Sequence, residues 1–137
     1  MNEIILNRKL SIERCIQQID KYYALDTGIP FATDYLKQDA IAMNLQRACE
    51  MTIDIANYLI KRKKLGLPQD SRESFALLQQ AGLISIAQMR SLQAMVGFRN
   101  TLVHQYQTLD LRIMVNVIEH HLRELLDFAN KMLEVPT

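Results

Sequence analysis

The sequence predicts an all-α fold, an up-and-down bundle of four to five helices forming a single domain over residues 1–137. Apolar residues recur at steps of three and four along most of the chain, which is the spacing of one helix face. Glycine (4) and proline (3) are scarce, and no stretch shows the alternation of a half-buried strand. With 137 residues, 49% of them hydrophobic and 23% charged, one domain can bury a core without disulfides or a metal.

The first helix is expected over roughly residues 3 to 24, where a single apolar stripe follows helical spacing. The segment "DTGIPFATD" then interrupts the pattern with a glycine and a proline. Thr33 or Asp34 can cap the next helix, because either side chain offers an oxygen to free backbone amides.

The second helix is expected to be the longest, over roughly residues 34 to 64. Gly66 and Pro68 are expected to end it. Beside its apolar stripe runs a polar row at steps of four, three and four: Glu50, Asp54, Asn57 and Lys61.

Three further helices follow. Asp70 followed by Glu73 is typical of a capping box with aspartate in place of serine, and Gly82 ends that short helix. A fourth helix begins near Ser85, and Asp110 can cap a fifth. The fifth is expected to carry one heptad-like row: Leu111, Met114, Ile118, His121, Leu125, Phe128 and Met132.

Composition limits the functions open to the chain. The net charge of +1 predicts no general attraction to nucleic acid, so an RNA contact would need a local basic patch. Cys15 and Cys49 lie in apolar helical patterns and are expected to be buried hydrophobes in a reducing compartment, not zinc ligands. No signal-peptide pattern and no apolar run near the ~18 residues of a membrane span is visible, so a cytoplasmic protein is expected.

The stretch "FRNTLVHQY" gathers Arg99, His104 and Tyr106 in an apolar frame. On a regular helix Arg99 and His104 would lie about 140° apart, whereas Arg99 and Tyr106 would share a face. Either these residues are not one functional unit, or the helix deforms near Val103 and His104. We expect the deformation, with His104 near the helix end, Tyr106 beyond it, and both facing Arg99.

The spacing of Arg99, His104 and Tyr106 resembles the Arg-x4-His-x-Tyr signature of the HEPN superfamily. The longer stretch "SRESFALLQQAGLISIAQMRSLQAMVGFRNTLVHQY", together with "IDIANYLI" on the second helix, resembles the HepT-type toxins over essentially the whole chain. The resemblance implies a helical homodimer that cuts RNA, with transfer RNA the expected target, without a metal or other cofactor. Two copies of the motif would meet at a shared cleft.

The resemblance also implies roles for individual residues. RNA carries its own nucleophile, the 2′-hydroxyl beside the scissile phosphate. His104 would be the acid or base, since histidine exchanges protons near neutral pH, and Arg99 would clamp the phosphate. Asn100 would orient the substrate or the histidine. Asp54 and Glu50 are the candidates for an acidic residue that supports the motif, and Asp54 matches the family better.

Tyr106 has a separate implied role, as the acceptor of AMP from a small nucleotidyltransferase antitoxin of the MNT type. An anionic adduct there would fill the cleft and repel RNA phosphate. The basic run of Lys61, Arg62, Lys63 and Lys64 can bind RNA phosphates, or it can simply complement the C-terminal end of its helix.

Simpler interpretations stay open beside these. Arg99 can pair structurally with a carboxylate, His104 can be a satisfied core histidine, and Tyr106 can be a packing residue. His120 and His121 point to different faces and cannot chelate together, and His121 is expected to pack in the apolar row. The alternative for the whole chain is a non-catalytic HEPN binding module, or an accessory subunit, that partners a nucleotidyltransferase.

Overall fold

The computed structural model describes residues 2–137, and within that range the chain forms six α-helices and no strand. The helices are α1 (Glu3–Ala24), α2 (Tyr35–Lys63), α3 (Ser71–Gln80), α4 (Ile86–His104), α5 (Leu111–His120) and α6 (Leu122–Leu133). Short 3₁₀ turns precede α2 (Phe31–Thr33) and follow α4 (Tyr106–Thr108). The all-α prediction is confirmed. None of the helices within residues 2–137 is long and apolar enough to cross a membrane.

Side-chain caps begin α2, α3, α4 and α5 where the sequence predicts them. Asp34, rather than Thr33, caps α2, because its Oδ1 accepts a hydrogen bond from the backbone N of Lys37 at 3.1 Å. Thr27 donates to the other oxygen of that carboxylate at 2.6 Å. Equivalent caps begin α3, α4 and α5 at Asp70, Ser85 and Asp110.

α2 lies at the centre of the bundle, where α1, α3, α4 and α6 all pack against it. Its buried side chains join one continuous apolar core, in which Phe75 of α3 and Phe128 of α6 meet edge to face at 5.6 Å between ring centroids. Cys15 and Cys49 are buried free thiols, as expected, and burial raises the pKa of the Cys49 thiol to about 12.

The prediction of one long fifth helix is wrong, because the chain breaks between α5 and α6 at His121. His121 leaves helical geometry (φ −123°, ψ −6°) although its N still bonds Val117 O at 2.9 Å. Its Nδ1 lies 3.0 Å from Glu124 Oε1, so the ring is a partly exposed hydrogen-bonding group and not a core residue. The apolar residues before and after His121 follow the same helical spacing. The spacing in the sequence therefore does not reveal the break.

α2 ends at Lys63, three residues before the glycine expected to stop it. Lys64 adopts left-handed backbone geometry (φ 55°, ψ 51°), and Leu65 N bonds back to Ile60 O at 2.9 Å, closing the helix end. A residue with a Cβ is strained in this conformation, so Lys64 stores strain of about 1 kcal/mol.

Lys64→Gly is therefore expected to raise the free energy of unfolding by about 1 kcal/mol, because glycine adopts positive φ without strain. Lys61→Gly, an exposed position inside the same helix, is the control and should lower it by about 1 kcal/mol. Chemical denaturation of both variants measures the difference. Equal destabilisation by the two glycines would contradict the assignment of strain to Lys64.

Candidate active site

The Arg-x4-His-x-Tyr motif lies at the C-terminal end of α4 and in the turn that follows. α4 stays helical through His104, with Gln105 N bonded to Thr101 O at 2.9 Å, so the deformation expected near Val103 is absent. The weak helix formers are accommodated: Asn100 is exposed, and Thr101 Oγ1 donates to Gly97 O at 3.1 Å. The chain turns one residue later than expected, at Gln105 (φ −138°, ψ 33°).

Two expectations about the motif have different outcomes. His104 is the last residue of α4 and Tyr106 begins the following 3₁₀ turn, as predicted. The two side chains do not both turn toward Arg99, however. On a regular helix Arg99 and His104 stay about 140° apart. Tyr106 and Arg99 bind different carboxylates of α2, and within residues 2–137 neither of them hydrogen-bonds His104.

Arg99 is fixed by a carboxylate and an amide. Its Nη2 donates to Glu50 Oε1 at 3.1 Å and its Nη1 to Asn100 Oδ1 at 3.2 Å, while Gln46 Nε2 donates to the same Glu50 oxygen at 3.0 Å. The Arg99 and Glu50 side chains are 29% and 34% exposed. The guanidinium is thus oriented from α2 while the group remains reachable from solvent.

The two acidic candidates on α2 have different partners. Glu50 contacts Arg99, whereas Asp54 faces α1, where Arg8 Nε lies 3.5 Å from its Oδ2. Glu50 is therefore the acidic candidate that contacts Arg99 in this chain, and a supporting role for Asp54 stays a prediction. Asp54 lies one helical turn, about 6 Å, further along α2, where its carboxylate contacts α1 and not Arg99.

Tyr106 binds an acid that the sequence analysis did not identify. Its hydroxyl donates to Asp39 Oδ1 at 2.7 Å, near the start of α2. Burial, and next the hydrogen bond to Asp39, raise the pKa of Tyr106 well above its usual range. Tyr106 is therefore a protonated phenol at neutral pH, held by a carboxylate that is itself exposed.

An open groove of about 560 Å³ connects these two contacts. Tyr106 and Asp39 lie at one end of its lining and Glu50, the partner of Arg99, at the other. The remaining lining residues are Ala42, Met43, Gln46, Arg47 and Leu102. Its volume falls within the range of sites that hold small molecules or nucleotides.

The sequence contains a signal for Asp39 that the analysis did not use. The polar row on the second helix was followed only from Glu50 toward the C-terminus. The α2 residues along the groove follow one helix face backward from Glu50 to Gln46 and on to Asp39. Asp39 and Glu50 are eleven residues apart, close to three full turns, so they share that face. Only the fold shows that the motif lies opposite it.

The basic run lies outside this groove. Lys61 is 11 residues beyond Glu50, the groove residue nearest to it on α2, or about 16 Å along the helix axis. Arg62 and Lys63 donate to the carbonyl oxygens of Thr137 and Pro136, at 3.3 and 3.1 Å. In the single chain these cations lie at the C-terminal end of α2 beside the chain terminus, so an RNA contact through Lys61–Lys64 stays a prediction. In the part of the chain that the structure covers, no three acidic, histidine or cysteine groups are placed to hold a metal ion.

The fold and the motif together define a helical ribonuclease of the HEPN type. A profile described as ribonuclease HepT-like matches residues 12–132, and the chain belongs to this family. It is 46% identical over 130 residues to the mRNA nuclease HepT of Shewanella oneidensis, covering 95% of this chain and 96% of that protein. A putative RNase of Archaeoglobus fulgidus is 26% identical over 124 residues, covering 90% of this chain and 93% of that one.

Solved structures agree with this assignment. A tri-AMPylated HEPN toxin from Shewanella oneidensis in complex with MNT antitoxin superposes with a TM-score of 0.91 at 44% identity, covering 98% of this chain and all of that one. A toxin–antitoxin structure with AMP-PNP gives a TM-score of 0.90 at 42% identity over 98% of this chain and 100% of the other. The YutE protein of Bacillus subtilis shares the fold, with a TM-score of 0.68 at 20% identity over 89% of this chain and 85% of that one.

The Glu50–Arg99 contact is expected to contribute a coupling energy of roughly 0.5–1 kcal/mol, because both partners are partly shielded from solvent. A double-mutant cycle with Glu50→Gln and Arg99→Gln, read from denaturant unfolding, measures it. The matched control is Arg8→Gln with Asp54→Asn, a pair 38% and 48% exposed, which should couple less than half as strongly. A larger coupling for the control pair would contradict this picture.

Proposed function

We propose that this HepT-type endoribonuclease is the toxin of a toxin–antitoxin pair, that it cuts RNA without a metal, and that AMP added to Tyr106 silences it. One observation carries the proposal. The exposed His104, the oriented Arg99 and the half-buried Tyr106 lie on one short segment, and a groove leads from Tyr106 to the carboxylate that holds Arg99.

The chemistry requires a proton acceptor, a proton donor and a cation. His104 accepts a proton from the RNA 2′-hydroxyl or gives one to the leaving oxygen, and its exposure at the end of α4 leaves it accessible to a polymer. Arg99 binds the phosphate as negative charge develops, since its planar fork matches phosphate oxygens. Asn100, whose oxygen accepts from Arg99 Nη1, positions the guanidinium, and Glu50 accepts from the other terminal nitrogen, Nη2.

A second copy of the chain completes the site in this proposal. Arg99 and His104 point about 140° apart on α4, so one regular helix does not bring both to the same phosphate. Val103, which precedes the histidine, is 39% exposed and offers an apolar side chain for a contact between two α4 ends. A homodimer that joins two α4 ends places two histidines and two arginines around one cleft.

The proposed antitoxin is an MNT-type nucleotidyltransferase. The Shewanella toxin, which shares 44% of its sequence with this chain, is tri-AMPylated and bound to an MNT antitoxin. Here Tyr106 is the motif tyrosine and its hydroxyl lines the groove. An adenylyl group there fills space near Arg99 and adds negative charge where RNA phosphate would bind. Tyr106 is therefore the proposed site of modification.

The identity of the target RNA stays a prediction. Transfer RNA is the expectation from family resemblance, whereas the Shewanella relative is named for messenger RNA. Either target places the proposed activity in the cytoplasm. Both RNA classes belong in the first assay.

His104→Ala and Arg99→Ala are expected to lower RNA cleavage by at least about 10²-fold, because general acid–base catalysis and charge stabilisation each contribute that much. Purified protein from cells without the antitoxin, with EDTA present, is incubated with transfer and messenger RNA, and new ends are counted. His120→Ala, another exposed histidine, is the control and should keep full activity.

Sedimentation of the same samples is expected to give twice the 15.9 kDa of one chain. A His104→Ala protein that cuts as fast as its parent would contradict the assigned role. An unmodified parent protein that leaves both RNA classes intact would favour the non-catalytic binding module.

Tyr106→Phe is expected to block silencing, since phenylalanine has the same ring but no hydroxyl to receive AMP. The nucleotidyltransferase and ATP should leave its intact mass unchanged and its RNA cleavage uninhibited, while the parent gains adenylyl units and loses activity. Tyr35→Phe, a neighbouring tyrosine 67% exposed, is the control and should behave as the parent. If the Tyr106→Phe protein still gained an adenylyl unit, AMP would be added to a residue other than Tyr106.

A further inference from the structure

We propose that Asp39 is the catalytic base on the toxin side of AMP transfer: it takes the proton of the Tyr106 hydroxyl as that oxygen bonds to phosphorus. This inference rests on the proposed modification of Tyr106 and adds the residue that makes the tyrosine reactive. It assigns a chemical role to a carboxylate outside the Arg-x4-His-x-Tyr motif.

The geometry comes from two elements that are distant in sequence. Tyr106 lies in the 3₁₀ turn after α4 and Asp39 in the second turn of α2, 67 residues apart, yet Oη and Oδ1 are separated by 2.7 Å. That distance is typical of a hydrogen bond from a hydroxyl to a carboxylate. The Asp34 cap fixes the start of α2 only five residues earlier, so Asp39 is held on a regular helix.

The environment of the pair explains why a base is needed. Tyr106 is half-buried, and its pKa is raised first by burial and then by the Asp39 hydrogen bond, so almost no phenolate exists at neutral pH. A neutral phenol is a weak nucleophile, and its proton has to leave as the new bond forms. Asp39 already accepts the hydrogen bond from the Tyr106 hydroxyl. Because the Asp39 side chain is exposed, it can pass the proton on to water.

The step balances without an oxidant or a metal held by this chain. Tyr106 Oη attacks the α-phosphorus of an adenosine triphosphate presented by the nucleotidyltransferase, and the Oη–phosphorus bond forms. The bond from that phosphorus to the bridging oxygen breaks, and pyrophosphate leaves. The hydroxyl proton moves to Asp39 Oδ1 and then to solvent. The product is a phosphodiester with no proton left to donate to Asp39.

Asp39→Asn tests this step because asparagine keeps an oxygen acceptor of the same shape but has almost no basicity. With the full-length toxin, the nucleotidyltransferase and ATP at neutral pH, addition of the first adenylyl unit should slow by about 10²-fold or more. Intact mass at short times counts that first unit. Asp20→Asn, an exposed aspartate on α1, is the matched control and should react at the parent rate. Thermal unfolding of each variant confirms that it is folded.

The pH profile separates a base from a residue that only positions Tyr106. Without the base the reaction needs phenolate, so the rate of Asp39→Asn relative to the parent should rise about tenfold per pH unit. The ratio cancels any pH dependence of the nucleotidyltransferase itself. A folded Asp39→Asn protein that reacts at the parent rate, or a slow one whose ratio stays flat with pH, overturns the assignment to Asp39. A parent protein that gains no AMP instead overturns the proposed modification.

Discussion

The packing of α2 in the centre of the bundle is the constraint on which the other features depend. Four helices bury their apolar faces against it, so its axis and rotation are set by the core and not by the site. Its polar positions are consequently held at fixed places around that axis. Three carboxylates of α2 make contacts in this way: Asp39 with Tyr106, Glu50 with Arg99, and Asp54 with Arg8. Each contact forms where the packing of the core leaves that part of α2 uncovered.

Features determined by neighbouring residues were predictable from the sequence. α2, α3 and α5 begin at a capping side chain within a few positions, so Asp70 and Asp110 identify their helices directly and the pair Thr33 and Asp34 marks the start of α2. The position of His104 at the end of α4 followed similarly. The break at His121 was not predictable, because it involves no glycine or proline and leaves the apolar phase unchanged.

The contacts that the motif residues make could not be predicted from the sequence without the fold. Resemblance to a family predicts that an acidic residue of α2 lies near the arginine, but Glu50 and Asp54 both satisfy that statement in sequence. They are separated by one helical turn, and only the crossing of α2 and α4 decides between them. Asp39 is further still, 67 residues before Tyr106, and becomes significant only when the turn after α4 is seen beside it.

The eleven-residue spacing on α2 limits how this region of the chain can change. Asp39 and Glu50 share a face because three helical turns separate them. The helical backbone of α2 therefore aligns the contact at Tyr106 with the contact at Arg99. Inserting or deleting one residue between them would rotate one acid by about 100° relative to the other. No side-chain replacement restores that alignment. The segment can therefore vary in composition on its outer face, but its length is fixed by the two contacts that it joins.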